Sequence, residues 1–195
     1  PPAGAAAGAL TLLHDLGMLD RDGQLTRRGR EAARLPAHPR LAAMLLAARG
    51  DAEIATACDL AALIEERDFL RSGGARPDVD IRLRLDRIES ARRGARRSVP
   101  RPVLMAAEQW RRIMHLGKNT PARPSEAGRL LLAAYPDRIG RARSGSRGRF
   151  HLSGGQGAVL DGTDSLAGEE WLVAPNLDGS DEARIFLAAP VTEID

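Results

Sequence analysis

The chain has 195 residues, 43% hydrophobic and 28% charged, with two Trp, one Tyr and three Phe, which suffices for one or two ordinary domains and is too apolar for a disordered tail. No apolar run approaches the roughly 20 residues of a membrane helix. The opening Pro1-Pro2-Ala3-Gly4 lacks the charged flank of a secretory signal, so a cut-out piece of a longer protein is expected. A lone Cys58 fits a reducing, cytoplasmic setting.

The net charge of +3 hides an uneven distribution: residues 1–66 carry −2, residues 67–149 carry +13 and residues 150–195 carry −8. A basic middle between acidic flanks fits either a polyanion-binding stretch or a solvated basic face. Of the 29 cations, 28 are Arg, a bias that coding composition alone could produce. Their clustering, not their type, is the evidence for nucleic acid.

Ala9, Leu12, Leu13 and Leu16 form a helical stripe over residues 5–16 that Gly17 can close. Asp22-Gly23 between residues 18–20 and 24–26 predicts a short hairpin. Thr26 can then cap a helix running to about Leu35, where Pro36 opposes continuation. Helix, hairpin, helix is the end of a winged-helix unit, or of any small α+β element. From Pro39 the pattern is one of stacked amphipathic helices. Leu41, Met44, Leu45 and Ala48 form one stripe before Gly50 stops it; Asp51 then offers an N-cap for a second helix with Ile54, Cys58, Ala61 and Ile64 inward. Cys58 reads as a small buried hydrophobe.

Residues 69–78, with Ser72-Gly73-Gly74, read as a loop. Residues 79–88 fit both periods, Val79, Ile81, Leu83 and Leu85 alternating as in a strand, and Ile81, Leu85 and Ile88 spaced as in a helix. Helix is preferred, with Arg82, Arg84, Arg87, Arg92 and Arg93 on its exposed sides. A clearer helix follows Pro102 with Val103, Ala107, Trp110 and Met114 on one face, Arg111 and Arg112 beside them, and another follows Pro124. Past Pro136, five short segments of strand composition (138–143, 149–152, 158–160, 171–177 and 184–189) separated by Gly-containing turns suggest a small OB-like barrel. The expected class is therefore α+β: a partial winged helix (1–38), a helical bundle (39–135) and a five-stranded OB-like β-barrel (136–195).

No Gly-x4-Gly-Lys-Ser/Thr phosphate loop occurs, and Gly154-Gly155-Gln156-Gly157 lacks its Lys and reads as a hairpin turn. His14, His38, His115 and His151 stand at no recognised ligand spacing. Glu65 and Glu66 point about 100° apart on a helix and cannot converge as an acid/base pair; Arg67 or water is their expected partner. No catalytic residue, cofactor or metal is assigned to this chain. The candidate nucleic-acid-binding residues are Arg92, Arg93, Arg96, Arg97, Arg111, Arg112, Lys118, Arg138, Arg141, Arg143, Arg147 and Arg149, of which Arg141 and Arg143 should share one strand face. With few aromatics beside them, phosphate contacts should outweigh base stacking, giving sequence-tolerant, salt-sensitive binding.

Residues 8–20 (GALTLLHDLGMLD), 23–30 (GQLTRRGR) and 35–45 (LPAHPRLAAML) resemble the stretch linking winged-helix and ratchet domains of DEAH-box helicases. Residues 57–68 (ACDLAALIEERD), 134–139 (AYPDRI), 171–174 (WLVA) and 184–190 (RIFLAAP) narrow the resemblance to the bacterial HrpB type. The resemblance implies a parent ATP-dependent RNA helicase whose two RecA-like domains, absent here, bind ATP and Mg and move 3′ to 5′ along single-stranded RNA. This piece would be a C-terminal accessory part holding single-stranded RNA (or DNA) against that motor. The P-loop, the Asp-Glu-x-His box and the arginine finger are all missing, so this chain alone should not hydrolyse ATP. Two rivals remain: a stand-alone winged-helix DNA-binding regulator without enzymatic activity, and a structural module whose basic middle meets an acidic protein.

Overall fold

A computed structural model describes residues 3–66, 68–71, 77–95 and 98–192. The first helix, α1 (Ala3–Asp15), stops at Gly17, whose φ of +66° suits a residue without Cβ. Leu19 then pairs antiparallel with Leu25 across a turn in which the Asp20 carboxylate accepts from the backbone N–H groups of Asp22 and Gln24. Thr26 ties this hairpin to the next helix: its hydroxyl donates to the Gly17 carbonyl at 2.7 Å and accepts from the Gly29 N–H at 3.0 Å. Helix α2 (Arg27–Ala32) is three residues shorter than expected, because the chain breaks into turns ahead of Pro36. Gly29 is required where it stands, since a Cβ there would lie 2.2 Å from the Met18 carbonyl oxygen.

Helix α3 (Pro39–Ala47) has Pro39 in its first turn and is capped by His38 Nδ1, which accepts from the Arg40 N–H. Helix α4 (Gly50–Glu65) starts two residues earlier than expected. Arg49, not Asp51, is its N-cap, and the Glu53 carboxylate accepts from the Arg49 N–H at 2.6 Å. Asp51 sits instead in the first turn, where a negative charge is favoured by the helix dipole. Every residue from Ala55 to Leu63 is buried, so α4 is the central helix, and its alanines let α5 (Arg82–Arg92), α6 (Arg101–Ile113) and α7 (Ala127–Leu132) approach.

The expected loop over residues 69–78 begins with a 3₁₀ turn at Phe69–Arg71; Ser72-Gly73-Gly74 and Arg67 lie outside the described residues. The double periodicity of residues 79–88 resolves into both elements in succession. Val79 and Asp80 run extended beside β5, with Asp80 pairing parallel to Ala188, and Ile81 then enters α5.

Strands β1 (Ile139–Ala142), β2 (Arg149–Leu152), β3 (Gly157–Val159), β4 (Trp171–Leu177) and β5 (Glu182–Pro190) close into a barrel in the order β1-β2-β3-β5-β4. All pairs are antiparallel except β3 with β5. Gly154-Gly155 forms the β2–β3 turn, with Gly155 at φ +88°. Phe150, Leu152, Ala158, Leu172, Ala174, Ile185 and Ala188 fill the barrel. Val173, Leu187, Ala189 and Val191 belong instead to the bundle core, so the barrel presses one side into the helices. Gly128 marks the junction: a Cβ there would stand 2.2 Å from the Pro190 carbonyl oxygen.

Candidate nucleic-acid interface

The arginines between residues 67 and 149 separate into an internal set and a surface set. Arg111, expected beside the buried face of α6, is 1% exposed. Its Nε and Nη2 donate to the Asp59 carboxylate at 3.4 and 3.2 Å, and its Nη1 donates to the carbonyls of Thr120 at 2.7 Å and Lys118 at 3.3 Å. Arg92 of α5 reaches the same fully buried Asp59 with both terminal nitrogens, at 2.6 and 2.5 Å, and approaches Glu89 at 3.5 Å. Burial works against the Arg92 charge, but the Asp59 and Glu89 carboxylates outweigh it and hold the guanidinium more firmly protonated than usual. Arg84, expected on an exposed side of α5, is also 1% exposed; it pairs with Asp68 at 3.0 Å and donates to the carbonyls of Asp78 and Asp80. A cation packed at this depth must be matched by a carboxylate. Arg92 and Arg111 therefore serve the interior, correcting the expectation that they face a strand.

Arg138 is likewise occupied. It lies over the Tyr135 ring with its Cζ 5.3 Å from the centroid and donates to the Pro175 carbonyl at 2.9 Å, while Arg40 covers the same ring at 4.9 Å and grips Asp137 with two bonds of 2.6 and 2.8 Å. Arg96 and Arg97 lie outside the described residues. Arg93 and Arg112 are exposed and follow Arg92 and Arg111 in sequence, and Lys118, also exposed, offers its carbonyl to Arg111.

The remaining four, Arg141, Arg143, Arg147 and Arg149, are exposed on the barrel. Register explains the arrangement. Arg141 stands opposite His151 on β2 and Trp171 on β4, and the Arg143 N–H bonds to the Arg149 carbonyl at 2.9 Å, so Arg141, Arg143, Arg149 and His151 share the outer face of the β1–β2 hairpin. Arg141, Arg143, Ser144, His151 and Glu170 line a shallow cleft there. The Arg141 guanidinium lies 5.1 Å from the centre of the Trp171 ring, a cation–π contact that fixes its direction. Arg147 donates to the Gly162 carbonyl at 2.9 Å. Glu182 approaches Arg143 at 3.8 Å and Arg149 at 2.7 Å, so this face is basic but not uncompensated.

Sequence reasoning missed Trp171, Glu182 and His151 as members of this face. The period-two alternation of each strand was readable, but the register that sets Arg141 against Trp171 across β1 and β4 depends on barrel closure. Glu65, expected to meet Arg67 or water, instead accepts from Trp110 Nε1 at 2.8 Å. Cys58 is buried, and burial first, then the neighbouring Asp59 charge, pushes its thiol up to about 12 against the opposing pull of Arg111 and Arg92. No helix among the described residues is long and apolar enough to cross a membrane.

Residues 9–37 match the family model described as helicase associated domain (HA2), winged-helix. Over 96% of its length the chain is 36% identical to the ATP-dependent RNA helicase HrpB of Escherichia coli (strain K12), covering 21% of that protein. Two crystal structures of E. coli HrpB superpose on nearly the whole chain. The one titled as a DExH-box NTPase gives a TM-score of 0.78 at 33% identity over 98% of this chain, and the one titled as a DEAH/RHA helicase gives 0.81 at 32% identity over 99%; each is covered to 22%. The winged-helix match runs straight on into bundle and barrel, as in those structures, and nothing in these matches favours a stand-alone regulator. The chain spans about a fifth of its relatives' length, and over that span it is homologous to the HrpB-type DEAH-box helicases.

Proposed function

We propose that this chain is the non-catalytic, strand-holding part of a cytoplasmic ATP-dependent RNA helicase. Its partners are single-stranded RNA (or DNA) and two RecA-like motor domains of the same polypeptide, which would carry ATP and Mg. Residues 1–38 would close the winged-helix unit, 39–135 form the ratchet bundle and 136–195 form an OB-like barrel, a class of five-stranded barrel that binds oligonucleotides. The observation that carries this reading is the row of exposed guanidiniums on the β1–β2 hairpin, Arg141, Arg143 and Arg149, in a chain that aligns with HrpB over nearly its full length. Point charges at strand spacing can follow a sugar-phosphate backbone, while the Arg141–Trp171 stack offers one flat surface for a base.

Such binding depends on phosphate neutralisation rather than base sequence. Fluorescence anisotropy of a labelled single-stranded RNA with this chain, from low to high salt, tests it. Three phosphate contacts give a log–log slope near −2, at about 0.7 per contact, and the doubly charge-reversed R141E/R143E should flatten it by about 1.4. Salt-insensitive binding, or equal affinity for an acidic peptide, would defeat this reading.

A further inference from the structure

On the outer face of the barrel the Glu182 carboxylate stands against two of the exposed arginines, Arg149 and Arg143. Glu182 opens β5, directly after a turn built firmly around Asp178, whose Oδ1 accepts from the Ser180 N–H and hydroxyl and from the Arg184 N–H. The Ser180 hydroxyl also lies 3.0 Å from the Glu182 carbonyl, so its one proton is shared between that oxygen and Asp178, and the turn that presents Glu182 is braced. Its side chain is open to solvent. A single oxygen, Oε1, faces Arg149 Nη1 at 2.7 Å and Arg143 Nη1 at 3.8 Å, and the three side chains are 41–52% exposed.

The approach of Arg143 depends on a gap in the sheet. Gly157 lies in register between His151 and Glu182, and a Cβ on Gly157 would stand 2.6 Å from Arg143 Nη2. The guanidinium thus occupies the space that a side chain at 157 would fill, and reaches across β2 and β3 toward the carboxylate of β5. Two arginines converging on one solvent-exposed carboxylate oxygen form a weakly held pair, screened by salt and readily exchanged for another anion.

Resting on the strand-holding reading, we infer that Glu182 is an internal phosphate substitute: it occupies Arg143 and Arg149 when no strand is bound, and returns to them as a backbone phosphate leaves. Each phosphate bound at this pair displaces the carboxylate, and each phosphate released is replaced by it. The grip is thereby weakened and release accelerated, which suits a surface along which a strand must slide. The carboxylate also excludes anions too weak to compete with it.

The test compares wild type with E182Q and E182A, measuring RNA affinity by anisotropy and dissociation by stopped flow. The control is D181N, which removes the same charge at an exposed neighbour that pairs with neither Arg143 nor Arg149. Unfolding temperatures check that each variant is folded. At low salt E182Q and E182A should bind two- to fivefold more tightly, mainly through slower dissociation, where D181N changes affinity less than twofold. The advantage should shrink as salt rises, because salt screens the exposed Glu182 carboxylate from the two arginines and from an incoming phosphate. Variants of Glu182 that bind no more tightly than D181N, in a chain whose wild type binds RNA, would overturn the inference alone. Absence of salt-sensitive RNA binding in all four proteins would overturn the strand-holding reading with it.

Discussion

Replacing Asp59 with Ala should destabilise the bundle more than any surface change. The carboxylate is fully buried and is shared by Arg92 and Arg111, whose side chains are 18% and 1% exposed. Without it, Arg92 can turn toward Glu89 at 3.5 Å and water. Arg111 cannot, and keeps only the Thr120 and Lys118 carbonyls for a full positive charge. Removing one partner of a buried ion pair costs about 3–5 kcal/mol. At about 2–4 °C per kcal/mol for a chain of this size, the midpoint of thermal unfolding should fall by roughly 6–20 °C. Urea unfolding followed by circular dichroism measures the loss, and hydrogen exchange should show residues 117–120, tethered through Arg111, losing protection. The double change D59L/R111M should recover most of the stability, since a well-packed apolar pair replaces a buried ion pair at little net cost. A loss below about 1 kcal/mol for D59A, or a double variant no better than the single, would refute the assignment of Arg111 to the interior.

Cys58, with its thiol pushed up to about 12 by burial and by Asp59, should react with a disulfide reagent at pH 8 at least about a thousandfold more slowly than in urea-unfolded chain; rapid native-state labelling would contradict its place in the core. Asp137 is governed by opposing influences: burial raises its pKa, while the Arg40 hydrogen bonds and charge outweigh burial and hold the carboxyl below its ordinary 3.8. Because the folded pKa is the lower one, its contribution to stability is complete above the ordinary value and is lost as pH falls through the folded one. The gap in unfolding temperature between wild type and D137N should therefore be constant from pH 7 to 5 and narrow below about pH 3.8, and a gap independent of pH would contradict the Arg40–Asp137 pairing.

Local chemistry made much of the fold readable. Thr26 as a cap, Asp22-Gly23 as a turn and Gly154-Gly155 as a hairpin act within a few residues, and the structure keeps all three. Boundaries shifted where a neighbour intervened, as when Glu53 reached back to the Arg49 N–H and moved the cap of α4 ahead of Asp51. Residues 79–88 fitted two periods because they contain both elements. Val79 serves the barrel core while Ile81, Leu85 and Ile88 serve the bundle, a division that depends on β5 having an edge open beyond β3.

The candidate site was legible only as a density of charge. Helical spacing sets Arg84 and Arg111 on the buried stripes of α5 and α6 and Arg87 and Arg112 off them, but spacing alone does not show that a charged head on such a stripe stays inside instead of turning to water. What holds the two heads inside is Asp68 and Asp59, 16 and 52 residues away in sequence. The barrel arginines were easier, because strand alternation alone puts Arg141 and Arg143 on one face. Their neighbours Trp171 and Glu182 arrive through closure of the sheet.

The most direct measurement is photocrosslinking of a 4-thiouridine-substituted single-stranded RNA to this chain, with the attached peptides located by mass spectrometry. If the barrel face holds the strand, attachment falls within residues 139–152 and at Trp171, and fades as salt is raised. Attachment confined to residues 92–118, or none that salt diminishes, would contradict it.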